Sequence, residues 1–223
     1  MSNIFSASVG KKLLMSLAGL FLIIFLVVHL GINLLIILTD SHEPFNIAAH
    51  FMVSNIVVKV MEIVLFGGFL LHMFYGSIVS LQNMMARPVE YAKTNYSQSS
   101  FFSKYMVHTA VIITIFLALH IFDFYIKAKF LGKVQEVIYD GKAYHDMAAL
   151  VIERFKIWWV DVVYIVALFG LGFHLHHGFQ SAFQTLGINH PVYTPVIKMA
   201  GIVYTVLITI GFMSIPIVVY FFK

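Results

Sequence analysis

The chain has 223 residues, of which 61% are hydrophobic and only 11% charged, with a formal net charge of +4 at pH 7 and no cysteine. A soluble domain carries about a quarter charged residues, so the composition excludes an ordinary soluble fold. It predicts one integral membrane domain over residues 1–223 that meets membrane lipid and no nucleic acid. The lack of cysteine excludes thiolate-held iron–sulfur clusters and covalent c-type haem attachment in this chain.

Five apolar runs of spanning length, about 20 residues each, lie at 12–38, 57–82, 105–126, 158–183 and 196–222. They predict an all-α membrane protein with five transmembrane helices, the first four forming a bundle. Residues 1–10 are polar and short, an arm ahead of the first helix. Lys11-Lys12 followed by Leu13-Leu14-Met15 has the pattern of a signal peptide, but the apolar run continues to Ile37 with no small-residue cleavage site, so a retained helix is expected. His29 sits nine residues before the end of this run, about 13 Å below the surface at 1.5 Å per residue.

Pro44 stands where the first turn of a short interfacial helix would begin. The second run carries Glu62 near its start, then Gly67-Gly68, His72 and Gly76. Because this run returns across the membrane, His72 belongs to the opposite half from His29. A polar loop over 83–103 follows, with Arg87-Pro88 breaking the helix and Asn95 to Ser100 lacking any periodic pattern.

The third run has His108 at its start and His120 near its exit, which puts His120 in the half containing His29. Residues 127–156 form the longest extramembrane stretch, with Asp140-Gly141 as a turn signal and Met147 to Ile152 as a surface-lying helix. Trp158-Trp159 mark an interface at the start of the fourth run, which brings His174 to the half of His72 and continues through His176, His177 and Gly178. The fifth run has no histidine, and its Pro216 can be accommodated by packing in a membrane helix.

A polar side chain at membrane depth is costly and is by default a functional-site hypothesis. Alternating helix direction sorts the four deep histidines into two layers, His29 with His120 and His72 with His174. Each layer offers two imidazoles from different helices, the number needed to fill both axial positions of a haem iron. Gly76 and Gly178 each lie one turn beyond a candidate ligand on the same helix face, where a flat macrocycle can approach the backbone. Single histidines in membrane helices also serve as interhelical hydrogen-bond partners, and histidines build proton or metal pathways. Such pathways usually recruit intramembrane carboxylates, and only Glu62, Asp123 and Asp161 come near the membrane here.

These residues carry a resemblance. The run Val27-Val28-His29-Leu30, the stretch Phe45 to Met52, Glu62 followed by Leu71-His72-Met73-Phe74-Tyr75-Gly76, then Leu119-His120, and finally Phe173-His174 through Gly178 to Leu186-Gly187 are together similar to the cytochrome b membrane anchor of bacterial succinate:quinone oxidoreductases (succinate dehydrogenase, fumarate reductase), in the five-helix, two-haem form. The resemblance covers nearly the whole chain. It implies two haems b, with the iron of an inner one on His72 and His174 and that of an outer one on His29 and His120. It further implies a quinone, menaquinone in such bacteria, and FAD and iron–sulfur clusters on partner flavoprotein and iron–sulfur subunits of respiratory complex II, a tricarboxylic acid cycle enzyme. The bacterial cytoplasmic membrane, with the N-terminus cytoplasmic, is the implied location; the distribution of Lys and Arg does not by itself support that orientation. His177 stays open as the alternative to His174. Glu62 is the candidate for proton transfer at the quinone site. The alternatives are the cytochrome b subunit of a hydrogenase or formate dehydrogenase, and a histidine-based ion transporter.

Overall fold

The computed structural model describes residues 8–85 and 105–223, and about 83% of these are helical. Among the described residues five helices are long and apolar enough to cross a membrane. In chain order the elements are α1 (Ser8–Leu38), α2 (Glu43–Ser54), α3 (Ile56–Met85), α4 (Met106–His120), a π-helical turn (Ile121–Ile126), α5 (Lys127–Lys129), β1 (Glu136–Tyr139), β2 (Lys142–His145), α6 (Met147–Phe155), α7 (Trp158–Thr185) and α8 (Tyr193–Phe222). The third span is thus α4, the π turn and α5 taken together, Met106–Lys129. The first seven residues of the expected polar arm, and the stretch of the polar loop with Arg87-Pro88 and Asn95 to Ser100, fall outside the described residues.

The spans begin or end a few residues from the hydropathy limits, because helical hydrogen bonding continues into the interface after the apolar run stops. Pro44 lies in the first turn of α2, where its missing N–H removes no helical bond. The Asp140-Gly141 turn is also found, but it closes a hairpin rather than a plain loop. Tyr139 pairs with Lys142, and Asp140 and Gly141 both have positive φ, 49° and 74°. A two-residue hairpin loop of this kind matches the right-handed strand twist.

The packing is inside-out relative to a soluble protein. Apolar residues such as Ile24, Ile63 and Leu207 are 66%, 74% and 65% exposed, facing where lipid would lie. The core runs along α1, α7 and α8 and out into the cap: Leu30, Ile36, Phe45, Val151, Phe155, Tyr164, Leu175, Ile208 and Val219 belong to one buried cluster. Helix α1 packs along α3, α7 and α8, and α4 packs along α7. Small residues permit the tightest approaches. A Cβ on Gly172 would come within 2.8 Å of Thr209 Oγ1, and one on Gly201 within 2.8 Å of Phe179.

At one end of the bundle α2, the hairpin and α6 form a polar-laced cap. Its centre is Asn46, which is fully buried. The Asn46 amide donates to Tyr139 Oη at 3.2 Å and to Asp146 Oδ1 at 2.9 Å, and its carbonyl accepts from the Ala148 N–H at 2.9 Å. Every polar position of the amide that points inward is therefore matched, which offsets the cost of burying it. Asp146 caps α6 through the Ala149 N–H. Burial alone would raise the Asp146 pKa, but the bonds from Asn46 and Ala149 and the nearby His42 outweigh it and hold the carboxyl below its ordinary value.

Candidate haem-binding site

Near the capped end, His29 on α1 and His120 at the last residue of α4 bring their rings together, with centroids 5.7 Å apart and planes at 89°. Phe25 stacks on His29 at 5.2 Å, and Phe212 from α8 closes its other side at 5.6 Å. Phe116 and Phe124 flank His120 at 5.7 and 5.3 Å. Tyr164 from α7 lies 6.3 Å from the His120 ring. In the other half, His72 on α3 meets His174 on α7 at 6.1 Å, with planes at 74°.

Each pair joins two helices whose backbones are not in extensive contact. Helices α1 and α4 do not pack along each other, nor do α3 and α7, whereas α1 packs along both α3 and α7. The imidazoles therefore reach across the diagonals of the bundle. Centroid separations of 5.7 and 6.1 Å are short enough for one metal ion to reach a nitrogen of each ring.

The hydrogen bonding of the rings is consistent with that use. His72 Nδ1 lies 3.2 Å from the Met15 carbonyl oxygen. A carbonyl only accepts, so Nδ1 carries the hydrogen and Nε2 keeps its lone pair for a ligand. Nδ1 of His120 and Nδ1 of His174 are buried with no hydrogen-bond partner. An orphaned buried polar atom costs about 1–3 kcal/mol, which a bond to a metal or to another polar group would remove. Asn33 donates to the His29 carbonyl at 2.8 Å; its amide nitrogen is 3.5 Å from His29 Nδ1, the outer limit of a bond, and fixes no tautomer.

Among the described residues no group of three or more His, Cys, Asp or Glu side chains could hold a metal. Two imidazoles per layer are too few to close a metal site alone, but they would suffice for a metal carried in a macrocycle that brings its own donors. The donor set fits haem. No family model, curated protein or solved structure matches the chain.

The other expected residues fall as follows. Gly76 and Gly178 face the flexible ends of methionines, since a Cβ there would meet Met15 Sδ at 3.7 Å and Met106 Cε at 3.8 Å. Of the three histidines in the Phe173-to-Gly178 stretch, His174 is the one whose ring meets His72. His108 lies in the first turn of α4, 5.7 Å from the Tyr105 ring. Glu62 accepts from Tyr125 Oη and from Lys129 Nζ, the latter at 2.6 Å. Both donors come from the π turn and α5, so Glu62 belongs to the His29–His120 half.

The surroundings of Asp123 in this half carry no signal in the sequence. Asp123, three residues after His120, is only 3% exposed and is paired with Lys127 Nζ at 3.0 Å and Arg154 Nε at 2.8 Å. The sequence marks it only as a carboxylate near a surface; the structure surrounds it with two cations, one from 31 residues along the chain. The π turn around it is of the kind that recurs at functional sites, and no residue type announces it.

Proposed function

We propose that this chain is the dihaem cytochrome b anchor of a bacterial succinate:quinone oxidoreductase, carrying electrons between partner flavoprotein and iron–sulfur subunits and menaquinone. The observation that carries the reading is the pair of imidazole layers, 5.7 and 6.1 Å between centroids, each spanning a diagonal of the bundle. Haem iron held by two histidines supplies one-electron transfer and has no open position for substrate. His72 and His174 would hold the iron of an inner haem, and His29 and His120 that of an outer one. Phe25, Phe116, Phe124 and Phe212 keep water from the outer pair, which lowers the local dielectric around a bound cofactor.

Quinone reduction takes up two protons with two electrons, and quinol oxidation releases them. Glu62, in the half of the outer pair and 24% exposed at its side chain, would exchange protons with the nearby surface. Lys129 and Tyr125 hold its carboxylate in place. The complex would sit in the cytoplasmic membrane with the N-terminus inside, so that the His72–His174 layer faces the partner subunits.

The test is purification from a membrane that expresses the whole complex. A reduced-minus-oxidised spectrum with two low-spin b-type components, together with a co-purifying flavoprotein that oxidises succinate, is the expected result. A haem spectrum accompanied by hydrogenase or formate dehydrogenase activity would overturn the partner assignment. Absence of haem from the intact complex would overturn the cytochrome reading itself.

A further inference from the structure

We propose that the turn of α1 from Met15 to Gly19 is a positioning element for His72, acting through a backbone carbonyl that the missing side chain at position 19 leaves open. The proposal rests on the haem reading above and extends it to residues that ligate nothing.

Within α1 the Met15 carbonyl already lies in the helical ladder, where it accepts from the N–H of Gly19 four residues on. A carbonyl oxygen has two lone pairs, but in a helix the side chain at i+4 lies beside it and restricts approach of a second donor. At position 19 there is no such side chain. His72 uses the opening and donates from Nδ1 to Met15 O at 3.2 Å. The contact leaves little tolerance, since a Cβ on Gly19 would lie 3.2 Å from His72 Cε1 and 3.3 Å from His72 Nδ1.

Those two atoms belong to a rigid ring whose other side faces His174, so the ring cannot yield by changing a terminal rotamer. The same helix pair approaches closely elsewhere. A Cβ on Gly68 would meet Phe21 at 3.3 Å, and Gly76 faces Met15 Sδ. Helix α3 is thus laid against α1 by contacts that bracket His72. A hydrogen bond from the distal imidazole nitrogen to a carbonyl fixes the ring orientation and the tautomer and makes the ligand more basic; loss of such a partner costs about 10- to 100-fold in metal affinity.

The experiment is Gly19→Ala in the whole complex, with Gly31→Ala as control. Gly31 is on the same helix, and a Cβ there meets nothing within 4 Å, so both variants raise helix propensity alike while only one touches His72. Haem content, the two midpoint potentials and the low-spin electron paramagnetic resonance signals are read, with the inner component assigned as the one lost in His174→Ala.

The proposal expects Gly19→Ala to weaken inner-haem retention about 10- to 100-fold, with a positive shift in the potential of whatever inner haem remains. The outer haem, present at wild-type level, reports that the variant has folded, and Gly31→Ala matches wild type. Unchanged inner-haem content and potential would overturn the proposal. Equal loss of both haems would overturn it too, because the position would then serve the fold and not His72. If the wild-type complex contains no haem, the cytochrome reading fails instead, an outcome seen before any variant is made.

Discussion

Glu62→Gln separates a structural role from a chemical one, because the structure assigns the two roles different magnitudes. The carboxylate accepts from Tyr125 and Lys129, and glutamine keeps the size and one acceptor oxygen for them. The charge is lost, but the Lys129 side chain is 47% exposed and that of Glu62 24%. Ion pairs this open to solvent contribute about 0–1 kcal/mol. The expected loss of stability is therefore under about 1 kcal/mol, or no more than about 2–4 °C in Tm for a chain of this size. Removing a group that transfers protons in a reaction costs about 10²–10⁴-fold in rate. In the purified complex, both haems should remain, succinate oxidation by an artificial acceptor at the flavoprotein should be unchanged, and quinone-linked turnover should fall by at least about 100-fold. Turnover with quinone within a factor of three of wild type would refute the assignment of Glu62 to proton transfer.

Each of His29→Ala, His72→Ala, His120→Ala and His174→Ala should remove or convert one haem, read as loss of one low-spin component, while His176→Ala and His177→Ala retain both; loss of the inner haem in His177→Ala with retention in His174→Ala would place the ligand one turn along α7. Asp123→Asn leaves Lys127 and Arg154 without their shared anion in a site where the carboxylate is 4% exposed. Breaking a buried pair costs about 3–5 kcal/mol. The two cations, 21% and 25% exposed, can turn toward water, so about 2–3 kcal/mol is expected. Thermal unfolding in detergent should show a Tm lower by about 4–12 °C. The cap should also respond to acid in one direction only. Asp146 has its pKa lowered from 3.8 on folding, so the stability it confers is complete above that value and is lost as pH falls below it toward the folded pKa. Hydrogen exchange of the hairpin amides should be insensitive to Asp146 titration between pH 6 and 5 and accelerate, after correction for intrinsic rates, only below about pH 4.

What the sequence reveals here follows from which physical quantities are one-dimensional. Span positions depend on local hydropathy, and depth depends on helix direction alternating along the chain. The spans and the two histidine layers could therefore be read before any coordinates, and His29 does meet His120 as His72 meets His174. Rotation of one helix against another is not local. Gly76 faces the flexible end of Met15, while the glycine against the His72 ring is Gly19, which no spacing in the sequence singles out. The hairpin escaped because Glu136–Tyr139 and Lys142–His145 are four residues each, too short for a period-2 pattern to stand out. Asp123 escaped because its partner Arg154 is placed by the cap, through α6 packing on the π turn and α7.

Helix α3 shows how the candidate chemical residues are also structural ones. It has no buried residue among its 30, so its position cannot come from a filled core on all sides. It leans on α1, and two polar ties fix it further: Glu62 to Tyr125 and Lys129 at the capped end, and His72 to the Met15 carbonyl in the other half. The His72 tie bonds a side chain that the lipid phase would otherwise leave unsatisfied, at a cost of several kcal/mol, whereas the Glu62 tie lies where its partners are open to solvent and contributes far less. A deletion at either position therefore removes a group with a proposed chemical role and a tether of α3 together. Glu62→Ala would lower turnover whether the carboxylate moves protons or only holds the helix, whereas Glu62→Gln keeps the tether. The same reasoning selects Gly19 over His72 as the site to alter in the inner layer, because it disturbs the orientation of the ring while leaving both imidazoles in the chain.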